Sequence, residues 1–213
     1  AVTGHAQDFS TERASVRVTT LADGLERPWS IAFLPDGRML VTERPGRLRL
    51  VTPDGAVSAP LAGVPPVFAQ GQGGLLDVAL DPDYAVNGWV YLSFAEDRGS
   101  GTNATTVMRA KLAGAALEDA QIIFRQQPAV ESPAHFGGRL VFGRDGRLFI
   151  TLGERAGRQF IERAQSLDDH FGKIIRIERN GGIPADNPFV GRADARPEIW
   201  SYGHRNPQGT ALH

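Results

Sequence analysis

The feature that most constrains the fold of this chain is an internal repeat of a strand–turn–strand unit. Residues 31–42 read IAFLPDGRMLVT and residues 140–151 read LVFGRDGRLFIT, so Asp-Gly-Arg stands at matched places in both. A version of the same unit with a longer turn spans residues 76–94. An Asp-Gly pair tolerates the positive backbone angles of a tight hairpin turn. The repeat therefore predicts a series of antiparallel β-hairpins.

Each hairpin is followed by a segment in which apolar and polar residues alternate. These segments are Arg47–Val51, Thr106–Leu112 and Lys173–Ile177, and Gln121–Phe124 adds a candidate fourth strand to the second unit. Alternation with a period of two is typical of a strand with one buried face. Units of three or four antiparallel strands, repeating roughly every forty to sixty residues, are typical of propeller blades. An all-β propeller is predicted, with at most one or two helical turns near Phe160–Leu167.

The repeat accounts for three blades, and Glu198–Tyr202 is predicted to begin a fourth. A closed propeller ring needs about four to eight blades. Residues 1–213 are therefore expected to be the N-terminal part of a single propeller domain, with the remaining blades supplied by a longer chain.

Composition supports a turn-rich fold and disfavours several functional classes. The chain has 25 glycines and 14 prolines among 213 residues, which predicts many tight turns. The absence of cysteine excludes disulfides and thiolate metal sites. A net charge of −1 offers no basic surface for nucleic acid, and no stretch approaches the roughly 18 apolar residues that cross a bilayer. The sequence also lacks the glycine-rich nucleotide motifs, which disfavours a nicotinamide dehydrogenase and a nucleotide hydrolase.

Four glycine-flanked loops carry polar side chains and are predicted to meet at one mouth of the central channel. They span residues 71–74, 134–139, 153–155 and 203–209. His135 is the candidate general base, because imidazole is well suited to taking a proton near neutral pH. Glu154 could orient that imidazole. On spacing alone, one alternative stays open for each residue. His135 could be a turn histidine bonded to backbone, and Glu154 could form a surface salt bridge.

Arg205, Asn206 and Gln72 are the candidate ligand-binding residues of these loops. An arginine suits planar or bidentate recognition of a ligand, and the proline that follows Asn206 restricts it to extended geometry. The alternatives, that Arg205 pins a loop and that Gln72 caps a turn, also stay open. Among the other polar residues, Asp168-Asp169 is predicted to be a solvated loop, and His5, His170 and His213 lack partners at metal-ligand spacing.

Five motifs resemble the soluble glucose/sorbosone dehydrogenases, and among them the bacterial aldose sugar dehydrogenases. The motifs are RPWSIAF at 27–33, GGLLDVA at 73–79, HFGGRL at 135–140, IPADNPF at 183–189 and SYGHRNPQG at 201–209. Members of this family are propellers that use pyrroloquinoline quinone (PQQ). The resemblance implies an all-β, six-bladed propeller of four-stranded antiparallel blades, of which this chain supplies about the first three to four.

The resemblance also implies a reaction, the oxidation of an aldose at C1 to the lactone. In that reaction His135 takes the proton of the C1 hydroxyl, hydride passes to the C5 carbonyl of PQQ, and Arg205 polarises the quinone oxygens. Asn206, Gln72 and His135 itself match residues beside the cofactor. Glu154 stands where the best-known member has an aspartate that supports the histidine. A sugar substrate, an electron acceptor and a periplasmic or secreted location are implied as well.

Calcium is a further implication, with ligands from a Gly-Pro segment that lies beyond residue 213. Basic residues that clamp the PQQ carboxylates also belong to later blades, so the 213 residues alone are not expected to bind PQQ tightly or to turn over sugar. No metal ligand is assigned within them. Two alternatives stay open: a calcium-dependent lactonase or esterase on a six-bladed propeller, and a propeller that binds a partner without catalysis.

Overall fold

The structure, a computed structural model, describes residues 6–213 and confirms the predicted all-β architecture. Its strands are β1 (Ala6–Ser10), β2 (Ser15–Thr19), β3 (Pro28–Phe33), β4 (Met39–Glu43), β5 (Arg47–Val51), β6 (Leu75–Leu80), β7 (Trp89–Asp97), β8 (Asn103–Ala113), β9 (Ala116–Arg125), β10 (Leu140–Phe142), β11 (Leu148–Thr151), β12 (Lys173–Ile177) and β13 (Ile199–Tyr202). Strands β1 and β2 form an exposed hairpin. The others form three antiparallel sheets, which we call blade 1 (β3–β5), blade 2 (β6–β9) and blade 3 (β10–β13).

The two matched Asp-Gly-Arg segments form the same turn. In blade 1 the carboxylate of Asp36 accepts the backbone N–H of Arg38 at 3.0 Å, and in blade 3 Asp145 accepts that of Arg147 at 3.1 Å. The intervening glycine has a φ of 85° in the first turn and 75° in the second. This left-handed conformation is one that glycine adopts without a steric penalty. The repeated motif therefore encodes a repeated hairpin, as predicted.

Helical structure in the described chain is confined to short turns. Helix α1 (Tyr84–Asn87) lies in the longer turn of blade 2. Helix α2 (Arg158–Ile161) leads directly into a 3₁₀ turn (Glu162–Gln165), two residues earlier than the predicted helical segment begins. None of the helices within residues 6–213 is long and apolar enough to cross a membrane.

The prediction that Glu198–Tyr202 begins a fourth blade is wrong, because β13 is the outer strand of blade 3. It pairs antiparallel with β12, with Ile174 opposite Ser201 and Lys173 opposite Tyr202. Asn187 holds the intervening loop in place, since its Nδ2 donates to the carbonyls of Arg176 at 2.9 Å and Pro197 at 3.0 Å. These two bonds return the chain alongside β12. Residues 6–213 thus form three blades.

The predicted solvated loop at Asp168-Asp169 is correct for its first residue only. Asp168 is exposed, whereas Asp169 is buried. The carboxylate of Asp169 accepts the Nε–H of Arg163 at 2.5 Å and the backbone N–H of Phe171 at 2.8 Å. A buried carboxylate needs such partners to offset the loss of water. The chain therefore turns inward at Asp169, and this turn leads into β12.

Neighbouring blades pack through two apolar cores. Blades 1 and 2 share one core, whose members include Leu40, Leu48, Leu75, Leu92 and Met108. Blades 2 and 3 share the other, whose members include Tyr91, Val107, Leu148, Ile150 and Ile175. The first strand of blade 2, β6, contacts the first strands of both neighbours, β3 and β10. The first strand of each blade is therefore its inner strand, as in a propeller.

The buried carboxylate of Asp77, on β6, joins these three inner strands. It accepts hydrogen bonds from the hydroxyl of Ser30 on β3 at 2.5 Å and from the backbone N–H of Leu140 on β10 at 2.7 Å. Nη1 of Arg139 lies 3.0 Å away, and its guanidinium also covers the ring of Trp29 at 4.3 Å. Burial raises the pKa of Asp77, while the bonds from Ser30 and Leu140 oppose that rise.

We expect Asp77→Ala to lower the free energy of unfolding by about 3–5 kcal/mol, because it leaves Arg139 and the Leu140 N–H without their buried partner. Urea unfolding of the full-length protein measures the change. Asp194→Ala is the control, since Asp194 forms an exposed pair with Arg192 and its loss is expected to change stability little. Equal effects of the two substitutions would contradict the central role of Asp77.

A buried histidine links blade 2 to blade 3. Nδ1 of His170 accepts the backbone N–H of Gln127, which follows β9, at 2.9 Å. Its Nε2 lies 2.7 Å from Oε1 of Glu198, just before β13. Because Nδ1 is an acceptor, the imidazole is neutral and carries its proton on Nε2. Burial, the largest effect, lowers the pKa of His170.

This lowered pKa predicts that acid weakens the fold. Below the ordinary histidine pKa of about 6.5 the unfolded chain gains a proton that folded His170 does not, so the free energy of unfolding falls as pH drops from about 7 toward the folded pKa. The slope from this one site reaches at most about 1.4 kcal/mol per pH unit. Urea unfolding between pH 7 and pH 5 is expected to show a shallower slope for His170→Gln. Asp194→Asn, which changes an exposed carboxylate whose pKa is lowered by Arg192, should retain the wild-type slope over this range, and a wild-type slope in His170→Gln would contradict the assignment.

Candidate functional site

The loop that leads into β10 holds His135 in a left-handed conformation, with a φ of 51°. Such a conformation is unfavourable for a residue with a side chain, and it persists only where surrounding contacts fix it. Here the backbone N–H of His135 donates to Oε1 of Gln72 at 2.9 Å. Two residues later, the N–H of Gly137 donates to Oδ1 of Asn206 at 2.9 Å. Side chains from two other loops therefore fix the backbone that carries His135.

The side chain of His135 forms a close pair with Glu154. The distance between Nδ1 of His135 and Oε2 of Glu154 is 2.6 Å, and the carboxylate side chain is only 2% exposed. A carboxylate is an acceptor, so Nδ1 carries the proton in this pair. In the neutral imidazole with this tautomer, Nε2 carries the lone pair. Orientation of an imidazole by a buried carboxylate is the arrangement that prepares histidine to act as a base.

The loop after β13 crosses the ends of the inner strands of blade 3 and is fixed through its backbone. The carbonyl of Arg205 accepts the backbone N–H of Glu154 at 2.9 Å. The carbonyl of Pro207 accepts the hydroxyl of Thr151 at 2.8 Å, and that of Gln208 accepts Nε–H of Arg139 at 3.0 Å. Backbone atoms thus anchor this loop, and the side chain of Arg205 is exposed.

Gly153 allows the three loops to approach one another closely. A Cβ at this position would lie 2.0 Å from the carbonyl oxygen of His135 and 2.8 Å from Oδ1 of Asn206. Real Cβ atoms do not approach backbone oxygens so closely, so only glycine fits without movement. The packing of the His135 loop against the Asn206 loop therefore depends on Gly153.

The structure brings all five sequence-predicted site residues to one place. Gln72, His135, Glu154 and Asn206 belong to a connected set of hydrogen bonds, and Arg205 joins it through its carbonyl. Beside this set lies an open pocket of about 380 Å³, lined by Glu154, Ile161, Ala164, Gln165, Gly203, His204 and Arg205. Neither Gln165 nor His204 is predicted from the sequence as a site residue.

The burial of one residue of the site is not predicted from the sequence. Arg155 follows Glu154, and the whole of its side chain is buried against the His135 loop. An arginine next to an acidic residue in a glycine-flanked loop gives no sequence signal of burial, because such residues are usually exposed.

Comparison with known proteins identifies the family of this chain. Residues 25–213 match the family described as glucose/sorbosone dehydrogenase. The chain belongs to this family. The resemblance inferred from the five motifs is therefore confirmed.

Individual relatives within the glucose/sorbosone dehydrogenase family show the same. The aldose sugar dehydrogenase YliI of Escherichia coli (strain K12) is 48% identical over 94% of this chain and 54% of its own length. A crystal structure of a glucose dehydrogenase superposes with a TM-score of 0.87 at 54% identity, covering 91% of this chain and 56% of that one. The PQQ-bound aldose sugar dehydrogenase of Streptomyces coelicolor superposes with a TM-score of 0.71 at 32% identity, covering 97% and 56%.

These superpositions confirm the propeller fold. The chain spans about half the length of the curated relatives it matches, and its described part forms three blades. Three blades in about half of the length agree with the six-bladed ring implied by the resemblance.

Gly153→Ala tests how closely the loops of the site are packed. We expect it to lower the free energy of unfolding by about 1–3 kcal/mol, because the new methyl group must push the His135 loop away from the Asn206 loop. Urea unfolding measures the cost. Gly209→Ala, at a position with nothing within 4 Å of the added Cβ, is the matched control and should change stability by less than about 0.5 kcal/mol. Equal stability of both variants would show that the loops can separate freely.

Proposed function

We propose that the full-length protein is a PQQ-dependent aldose dehydrogenase that oxidises a sugar at C1 to the lactone. The observation that carries this proposal is the pair of His135 and Glu154, in which a buried carboxylate holds Nδ1 and leaves Nε2 as the acceptor of the neutral imidazole. Arg205, whose side chain is exposed, lines the same pocket as Glu154. A base and a positive charge at one pocket suit removal of a proton together with transfer of negative charge.

In the proposed reaction Nε2 of His135 takes the proton of the C1 hydroxyl. The C1–H bond breaks with its electron pair while the C1–O bond becomes a carbonyl, so the sugar loses one proton and one hydride. Glu154 stabilises the imidazolium that forms, because its carboxylate keeps the Nδ1–H bond. The protein contributes orientation and electrostatics, as is general for enzymes whose cofactor performs the redox step.

The residues present fit the oxygens of a quinone, which become negative on reduction. The guanidinium of Arg205 is a planar donor whose charge suits an oxygen that becomes negative. Gln72 and Asn206 use their carbonyl oxygens to hold the His135 loop, which leaves the two amide groups as donors. When bound, PQQ would supply the quinone carbonyl that accepts the hydride from the sugar.

Other parts of the proposal rest on the family resemblance. No group of three or more His, Cys, Asp or Glu side chains in residues 6–213 is arranged to hold a metal ion. On the family resemblance, we assign the calcium ligands, the clamp for the PQQ carboxylates and the remaining blades to the rest of the full-length protein, of which residues 1–213 would be the N-terminal part. A periplasmic or secreted location and a separate electron acceptor belong to the same proposal.

Among the alternatives, a lactonase needs carboxylates and asparagines that converge on the channel as metal ligands. At this mouth Glu154 is bonded to His135, and Asn206 is bonded to the backbone of Gly137. The observed contacts thus favour the dehydrogenase.

His135→Ala is expected to lower kcat for PQQ-dependent sugar oxidation by about 10²–10⁴-fold, because it removes the base. Full-length protein is loaded with PQQ and calcium, and reduction of a dye acceptor is followed with glucose as substrate. Binding of PQQ, measured by titration of its absorbance, is expected to stay within a few-fold of wild type. The control is Asp194→Ala, which removes an exposed carboxylate of the loop before β13 and should leave kcat unchanged.

Two outcomes would contradict the proposal. One is a wild-type protein that binds PQQ and calcium yet reduces no dye with any aldose. The other is an active wild type whose His135→Ala variant is equally fast. Hydrolysis of a lactone without PQQ would favour the lactonase instead.

A further inference from the structure

The buried guanidinium of Arg155 contacts the His135 loop on both sides of His135. Its Nη2 donates to the carbonyl of Ser132 at 2.5 Å, three residues before the histidine. Its plane lies over the ring of Phe136, with Cζ 3.7 Å from the ring centroid, one residue after the histidine. The hydroxyl of Ser132 donates in return to the carbonyl of Arg155 at 2.6 Å. Arg155 and the His135 loop therefore each donate a hydrogen bond to a backbone carbonyl of the other.

The same guanidinium connects the loop to blade 2. Nη2 of Arg155 also donates to Oδ1 of Asn103 at 2.5 Å, and Asn103 is the first residue of β8. The backbone of Asn103 exchanges two hydrogen bonds with Val130, which lies just before the His135 loop. Arg155 thus ties the start of the His135 loop to a strand of the neighbouring blade.

This arrangement is costly, which argues that it does more than fill space. Arg155 is fully buried, and within residues 6–213 no acceptor bonds its Nε or Nη1. Arg155 and Ala156 both have left-handed backbones, with φ of 70° and 60°. Unpaired buried donors and left-handed residues each cost of order 1–3 kcal/mol. An apolar side chain of similar volume often gives equal or greater stability than a buried charge.

The charge of Arg155 lies close to the carboxylate that orients His135. Burial, the largest effect, lowers the pKa of Arg155 to about 9, and the nearby Glu154 carboxylate opposes that change. The guanidinium is thus charged at neutral pH. Two further titratable residues, His204 and Arg205 of the loop after β13, line the pocket beside Glu154.

We propose that Arg155 is a positioning residue for the base of the proposed reaction, fixing the His135 loop through Ser132 and Phe136 and placing a positive charge near the carboxylate of Glu154. This inference rests on the proposed function. It assigns Arg155 two separable effects. The fork of N–H groups holds the loop, and the positive charge favours the carboxylate and disfavours an imidazolium beside it.

The test separates these effects with Arg155→Met and Arg155→Lys in full-length protein loaded with PQQ and calcium. Arg155→Met removes fork and charge, so kcat is expected to fall at least about tenfold. The acid limb of kcat/KM should also move to higher pH, because the imidazolium is no longer opposed. Arg155→Lys keeps a charge and loses the fork, so kcat is expected to fall while the acid limb stays at its wild-type pH.

Arg176→Met is the matched control. Arg176 is also a buried arginine of blade 3 that stacks on an aromatic ring, that of Trp200 at 4.8 Å. It bonds Asp145, in the turn between β10 and β11, and Asp186. Its loss should lower thermal stability with less than about a threefold change in kcat. The proposal is overturned if Arg155→Met changes kcat and the acid limb no more than Arg176→Met does at a similar loss of stability.

A second readout needs no cofactor. The proton of the 2.6 Å bond between His135 and Glu154 should give a downfield proton NMR signal in the protein without PQQ, identified by its absence in His135→Gln. We expect the signal to persist in Arg176→Met and to be lost or broadened in Arg155→Met. An unchanged signal in a folded Arg155→Met variant would overturn the positioning role.

If wild type oxidises no sugar but the signal still depends on Arg155, the proposed function fails and the positioning contact stands. If Arg155→Met does not fold, the same comparison is made with Arg155→Lys, where an unchanged signal together with wild-type kcat overturns the proposal.

Discussion

The carboxylate of Asp77 accepts hydrogen bonds from blade 1 and blade 3 while standing on blade 2, and the placement of the site depends on this contact. Strand β10, which Asp77 holds through the N–H of Leu140, begins directly after the loop that carries His135. The hydroxyl of Ser93, also on blade 2, donates to the carbonyl of Gly138 in that loop. The position of the candidate base relative to the channel is therefore set by polar contacts between blades, with the apolar cores supplying most of the favourable burial.

One loop of the site is anchored by its own backbone carbonyls, and the His135 loop is held by side chains of other loops. Carbonyls of Arg205 and Pro207 accept bonds from blade 3, so their loop is anchored without using its side chains. Asn206 and Gln72 use one side-chain oxygen each on the His135 loop. Four groups are left without a partner in these contacts: the guanidinium of Arg205, the side-chain NH2 groups of Gln72 and Asn206, and Nε2 of His135. A polar ligand at the channel mouth would meet these groups.

The sequence predicts those parts of the fold that depend on local chemistry. The Asp-Gly turns and the alternating segment Arg47–Val51 are predicted with their correct places, because turn geometry and strand alternation are written in neighbouring residues. The outer strand of blade 3 is assigned wrongly, since its partner is decided by Asn187, which bonds the chain on both sides of a long loop. The burial of Asp169 and Arg155 is missed for the same reason: their partners are distant or unremarkable in sequence. The meeting of the five site residues and the contact of Glu154 with His135 are predicted from the loop pattern, but the bonds from Gln72 and Asn206 to the backbone of the His135 loop are not.

Strain and buried charge are concentrated where the candidate chemistry lies. Three of the six non-glycine residues with positive φ in the described chain, His135, Arg155 and Ala156, belong to two loops that contact each other. Such conformations persist only where the surrounding structure fixes them. Here the two blade cores and the Asp77 contact provide that rigidity. A site whose loops were relaxed would need neither Gly153 nor a buried arginine, so the cost carried by this mouth of the channel follows from holding an imidazole in one orientation.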